Sequence, residues 1–143
     1  MRISEILRGK GKYVATVRPG VTVRELLALL SEHNIGAVVV SEDDGATIAG
    51  IVSERDVVRR LHDRGDAVLD SPVSSIMTSD VRTCGLDASS DDLRPIMIEY
   101  RVRHLPVVDD GRLVGIVSIG DVVKAAISEL EAEREHLVSY IEG

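Results

Sequence analysis

Apolar and polar positions along the chain alternate between two periods. Val23, Leu26, Leu27 and Leu30 fall at i, i+3, i+4 and i+7, one apolar face of a helix. Thr22 can cap that helix, with Glu25 three residues on completing a capping box, and His33-Asn34 ends it. Ala37 to Val40 is a continuous apolar run, the pattern of a buried strand. Glu42 to Ala46 is polar and contains Asp44-Gly45, a hairpin turn, after which Ile48 to Val52 reads as the return strand. Upstream, Val14 to Val17 reads as a short strand, with Pro19-Gly20 as a turn. A second helix is expected from about Glu54 to Arg64, and Gly65 suits its C-cap.

The same series then repeats. Gly50 to Val58 returns as Gly115 to Val123, with identity at Gly, Ile, Val, Ser, Asp and both valines. Ile35 to Val40 aligns with Val102 to Val107, Val14 to Val17 with Val81 to Cys84, and Ser4 to Leu7 with Ser74 to Met77. The second turn, Asp109-Asp110-Gly111-Arg112, is shorter than the first. Leu93, Ile96, Met97 and Tyr100 share one helical face. Pro95 is tolerated only near a helix start, so this helix is expected to begin near Leu93 with Asp91 or Asp92 as cap. The last helix runs on to about Tyr140. Its stripe of Val123, Ile127, Leu130, Leu137 and Ile141, broken by Arg134, steps by four and three like a short coiled coil. That stripe either packs on its own domain or forms a dimer contact.

Composition narrows the picture. The 143 residues are 44% apolar yet include no Trp, no Phe and three Tyr, so aliphatic strands and Leu-bearing helices must build the core. A net charge of −7 argues against a nucleic-acid footprint and against a broad contact with anionic membrane. Cys84 is the single cysteine, which excludes an intrachain disulfide and a cysteine zinc cluster. The N-terminal dozen residues are mixed and charged, unlike a signal peptide, and no run is long enough to span a bilayer. A cytoplasmic location is expected.

The repeat resembles the CBS motif, called after cystathionine β-synthase. Leu105-Pro106-Val107-Val108-Asp109, the turn, and the two Gly-Ile-Val-Ser-x-x-Asp segments carry the likeness, which extends from Ile3 to Ala126. It implies a mixed α/β (α+β) fold in which each motif is a small sheet with packed helices and a pseudo-two-fold axis relates the two. Residues 1–143 then form one Bateman module, with motifs at 3–65 and 73–126, a linker at 66–72 and a helical extension at 127–143. The resemblance also implies clefts between the motifs that hold an adenosine ligand, and association as a homodimer.

Within that frame Asp56 and Asp121 are the candidate ribose ligands, since a carboxylate accepts from both ribose hydroxyls. Each opens a helix whose free N–H groups suit phosphate, and Ser53 and Ser118 stand three residues earlier. The same Ser-x-x-Asp spacing is also a capping box, so each Asp can serve the helix alone. Arg103 and His104 mark a basic corner before the Leu-Pro-Val-Val strand, where the first repeat has Gly36 and Ala37. By the family's geometry this corner serves phosphate together with Ser53 and Asp56, with Arg55 as a further cation. Thr16, Val17, Ala37, Ile51, Thr83, Cys84 and Ile116 are candidates for reading adenine, or ordinary core. No catalytic motif or metal cluster stands out, and the expected role is a nucleotide-binding regulator rather than an enzyme. AMP is favoured, with ADP, ATP, NAD or S-adenosylmethionine as alternatives, and the output passes to a separate protein partner. The competing reading is a ligand-free dimeric scaffold.

Overall fold

The computed structural model describes residues 1–10 and 15–142. Val14, expected to open the first strand, lies outside the described residues. The first half contains helix α1 (Ile3–Lys10), strand β1 (Thr16–Val17), α2 (Val23–His33), β2 (Ala37–Val40), β3 (Gly50–Ser53) and α3 (Glu54–Arg64). Short 3-10 segments at Gly65–Asp70 and Val73–Ser75 lead to α4 (Ser90–Glu99), β4 (His104–Asp109), β5 (Arg112–Ser118) and α5 (Ile119–Glu142).

Local chemistry explains most of these bounds. The Thr22 hydroxyl accepts the Glu25 N–H at 3.1 Å, and the Glu25 carboxylate accepts the Thr22 N–H at 3.2 Å, closing both halves of the expected box. Asn34 ends α2 in the left-handed region at φ 50°, which Asn tolerates well. β2 is buried throughout and pairs parallel with β1 and antiparallel with β3. The β4–β5 hairpin turns on Asp110-Gly111, at φ 50° and 77°, the two positive angles a type I′ loop requires. In the longer first turn the Ser41 hydroxyl donates to the Thr47 carbonyl and accepts the Gly45 N–H, so β3 resumes only at Gly50 rather than Ile48.

Helix α4 starts earlier than Pro95 implies. Ser89 caps it by accepting the Asp91 N–H at 3.2 Å, and the Ser90 N–H donates to the Met1 carbonyl at 2.8 Å. These contacts hold the first turn, and Pro95 sits in the following one on the exposed side. Leu93 and Met97 are buried, whereas Ile96 and Tyr100 are exposed.

The two halves are joined by exchange of their opening segments. Ile3 and Ser4 donate to the carbonyls of Ala88 and Leu86 in the other half, at 2.9 and 3.1 Å. The aligned residues Val73 and Ser74 donate to Val21 and Pro19, at 2.8 and 3.1 Å. Ile3 and Ile6 therefore complete the core of Leu93, Met97, Leu105, Val107, Val117 and Val122. Val68, Val73 and Ile76 complete the core of Val23, Leu26, Leu30, Val38, Val40 and Val52. The crossing explains the repeated glycines. A Cβ on Gly50 would stand 2.6 Å from Met77 Sδ and 2.8 Å from the Thr78 carbonyl, and one on Gly115 would stand 2.6 Å from Leu7 Cδ2. Among the described residues no helix is long and apolar enough to cross a membrane.

Candidate functional site

Strands β3 and β5 each run directly into a helix, and the junction is the same in both halves. The Ser53 N–H donates to Asp56 Oδ2 at 2.8 Å, and the Asp56 N–H donates to Ser53 Oγ at 3.3 Å. Ser118 and Asp121 repeat this at 2.8 and 3.0 Å. Both Ser-x-x-Asp pairs thus form reciprocal caps, which places each carboxylate at a helix N-terminus.

Two clefts open beside these junctions. The first, of about 350 Å³, is lined by Ile51, Ser53, Arg55 and Asp56 from one half and by Arg103 and His104 from the other. It thus brings together the phosphate-side candidates of the first motif and the basic corner of the second. The second, of about 450 Å³, is lined by Ala37, Ile116 and Ser118, with Lys10 at its edge and Gly36 where the first cleft has Arg103. Both volumes lie in the range of small-molecule sites. His104 borders both clefts.

The two junctions differ in how their carboxylates are engaged: Asp56 lines the first cleft, whereas Asp121 lines neither. Lys10 Nζ lies 2.6 Å from Asp121 Oδ2 and donates to the Ile116 carbonyl at 2.9 Å. Burial pushes the Asp121 carboxyl up, but the Lys10 ammonium and the Ser118 donors outweigh it and hold the group below its ordinary range. His104 is pulled below the usual imidazole value, first by burial and then by the Lys10 and Arg103 charges. The His104 ring is thereby neutral at pH 7, with one donor and one acceptor nitrogen.

Four adenine-reading candidates stand elsewhere. Among the described residues Thr16, Val17, Thr83 and Cys84 line neither cleft. Thr16 and Val17 pair with Val39 and Val40, and Val17 packs on the first core. The Cys84 amide donates to Pro106 and its carbonyl accepts from Val108, so its backbone is spent on β4. Burial raises its thiol to about 11, in keeping with a packed, unreactive sulfur. The neighbouring residues Ala15, Val81 and Arg82 line the clefts instead.

A CBS domain family model matches residues 4–63 and 73–128, the two repeats found in the sequence. The chain belongs to the CBS domain family. Its fold is similar to that of the CBS-domain containing protein ATU1752 from Agrobacterium tumefaciens, with a TM-score of 0.83 and 44% identity over 88% of this chain and 99% of that one. The CBS domain protein PAE2072 from Pyrobaculum aerophilum, solved in complex with AMP, matches with a TM-score of 0.74 and 32% identity over 85% and 89% of the two chains. The CBS domain pair of protein MJ0100, solved with 5'-methylthioadenosine and S-adenosyl-L-methionine, matches with a TM-score of 0.78 and 26% identity over 90% and 98%.

The structure adds CBS cleft residues that the motif comparison passed over. Arg59, Arg82 and Arg101 line the first cleft, with the Arg82 guanidinium 3.7 Å from the centre of the Tyr100 ring. In the repeat alignment Arg82 stands against Ala15 and Arg101 against Asn34, a charge difference visible in the sequence, but their sharing of one cleft is visible only in the folded chain.

Proposed function

We propose that this CBS pair is a regulatory adenine-nucleotide sensor whose binding site is the first cleft. The observation that carries the reading is the convergence there of Ser53 and Asp56 from one motif with Arg103 and His104 from the other. In this reading Asp56 turns from its cap to the ribose hydroxyls, and the N-terminus of α3 faces phosphate. Ile51 supplies apolar contact to the base; its counterpart Ile116 lines the second cleft together with Ala37. The AMP complex and the methylthioadenosine and S-adenosylmethionine complex of similar CBS pairs support an adenosine ligand. The protein acts as a homodimer, and α5 carries ligand state to a separate partner through its exposed stripe.

The test is thermal unfolding against AMP, ADP, ATP, NAD and S-adenosylmethionine. A ligand that binds only the folded chain, at a hundred times its dissociation constant, adds about 2.7 kcal/mol and raises Tm by several degrees. The rise is expected to vanish in Asp56→Ala. If no compound moves Tm at millimolar concentration, the sensor reading fails for these ligands. The second reading, a ligand-free scaffold, is favoured by the completed Ser53–Asp56 and Ser118–Asp121 caps. It predicts partner binding that is indifferent to nucleotide.

A further inference from the structure

The first cleft concentrates positive charge in an acidic protein. Arg55, Arg59, Arg82, Arg101 and Arg103 all line it, against Glu54, Asp56 and Asp80, in a chain of net charge −7. Among the described residues none of these arginines lies within ion-pair distance of a carboxylate, whereas Arg24, Arg60 and Arg94 each do. A guanidinium offers fixed N–H donors suited to phosphate oxygens. Stacking on Tyr100 holds Arg82 in place while leaving its in-plane donors available.

The second cleft serves as an internal comparison, because the same backbone forms it. The aligned positions replace Arg82 with Ala15, Arg101 with Asn34, Arg103 with Gly36 and Arg55 with Gly120. Only Arg59 has a basic counterpart, Lys124. The fold therefore does not require arginine at these places. At one of them arginine is disfavoured locally. Arg101 adopts φ 55°, the left-handed conformation that its counterpart Asn34 takes at φ 50°. A non-glycine residue held there stores strain, and such residues cluster at ligand clamps.

We infer that the first cleft is built for an adenosine ligand carrying a chain of two or more phosphates, rather than for AMP or a cationic sulfonium nucleoside. The inference rests on the reading that adenosine occupies this cleft. Arg103, His104 and the α3 N-terminus meet the phosphate nearest the ribose, and Arg82 and Arg101 meet the outer phosphates.

Isothermal titration of the full chain with AMP, ADP, ATP, S-adenosylmethionine and inorganic tripolyphosphate, in EDTA at physiological ionic strength, tests it. ATP is expected to bind at least roughly tenfold more tightly than AMP, the size of effect one charge-assisted contact supplies. In the Arg82→Gln/Arg101→Gln double variant the ATP-to-AMP ratio should collapse toward one. Equal affinities in the wild-type protein, or AMP or S-adenosylmethionine bound most tightly, overturn the polyphosphate inference and leave the adenosine reading standing. Tripolyphosphate binding as tightly as ATP overturns the adenosine reading, as does the failure of every adenosine compound to bind. The wild-type comparison decides the matter even if the double variant does not fold.

Discussion

Lys10 reaches from the end of α1 to within 2.6 Å of Asp121 Oδ2, and the same ammonium donates to the Ile116 carbonyl. It thereby sits on the carboxylate and the backbone that the repeat would offer to a ligand in the second cleft. The first cleft has no such occupant among the described residues. The two halves share a backbone pattern but not a charge pattern, so the CBS pair is chemically one-sided.

This contact predicts one nucleotide per chain. In Lys10→Ala, Asp121 loses its partner, and titration calorimetry should show a second, weaker nucleotide site. The ion pair is partly exposed, so its removal should cost no more than about 1 kcal/mol in urea unfolding. Two sites in the wild-type protein, or a single site persisting in a folded Lys10→Ala variant, would contradict this role for Lys10.

The repeated glycines yield a graded prediction. Gly50→Ala drives a Cβ against the Thr78 carbonyl, which is backbone paired to Ile51 and cannot move freely. That overpacking should cost about 1–3 kcal/mol. The nearest atoms that Gly115→Ala meets belong to the Leu7 side chain, which can shift rotamer. This substitution should cost less, and Leu7→Ala should relieve it. Chemical denaturation of the two single variants and the Leu7→Ala/Gly115→Ala pair checks the order. A larger loss at Gly115 would mean that the α1 crossing is more rigid than the Met77–Thr78 crossing.

What the linear pattern revealed was local or repeated. The Thr22–Glu25 box, the Asp110-Gly111 turn and the buried β2 each depend on residues adjacent in the chain. The second Gly-Ile-Val-Ser-x-x-Asp copy made the pairing of Ser53 and Asp56 with Arg103 and His104 legible through the family. Pro95 misplaced the start of α4 because the Met1 carbonyl that takes the Ser90 N–H lies 89 positions away in sequence. Arg82 and Arg101 escaped for a similar reason. They come from the segment before α4 and from its C-terminal end, and only the folded chain sets them in one cleft. Lys10 was hidden because α1 crosses to the other half before its side chain meets Asp121.

His104 predicts a pH dependence. Its folded pKa lies below the unfolded value near 6.5, chiefly through burial and then through Lys10 and Arg103, with Asp121 and Glu54 opposing. Between the folded and unfolded values the unfolded chain binds more protons. The contribution is therefore present above about pH 6.5 and is lost as pH falls through the window below it. Asp121, whose folded value is depressed, loses its contribution only below the ordinary carboxylate value of 3.8. Urea unfolding at pH 7.5 and 5.5 should show wild-type stability falling more than that of His104→Asn. Equal falls would mean that His104 does not titrate abnormally.

Helix α5 leaves an apolar stripe without a partner. Ile127, Leu130, Leu137 and Ile141 are 52%, 66%, 55% and 81% exposed, although Val122 and Ala125 near the helix start are buried. The first of the two roles open to this stripe, packing on its own domain, is thus not realised at these residues. Their four-and-three spacing is that of a coiled-coil seam, broken at Arg134, so a second α5 is the partner proposed for it. Replacing Leu130 and Leu137 by Glu should convert a dimer to a monomer in light scattering. Because both side chains are exposed in the single chain, circular dichroism of the monomer should keep the spectrum of the fold. A dimer that survives both substitutions would place the interface on another face, and a wild-type monomer would free the stripe for a different protein.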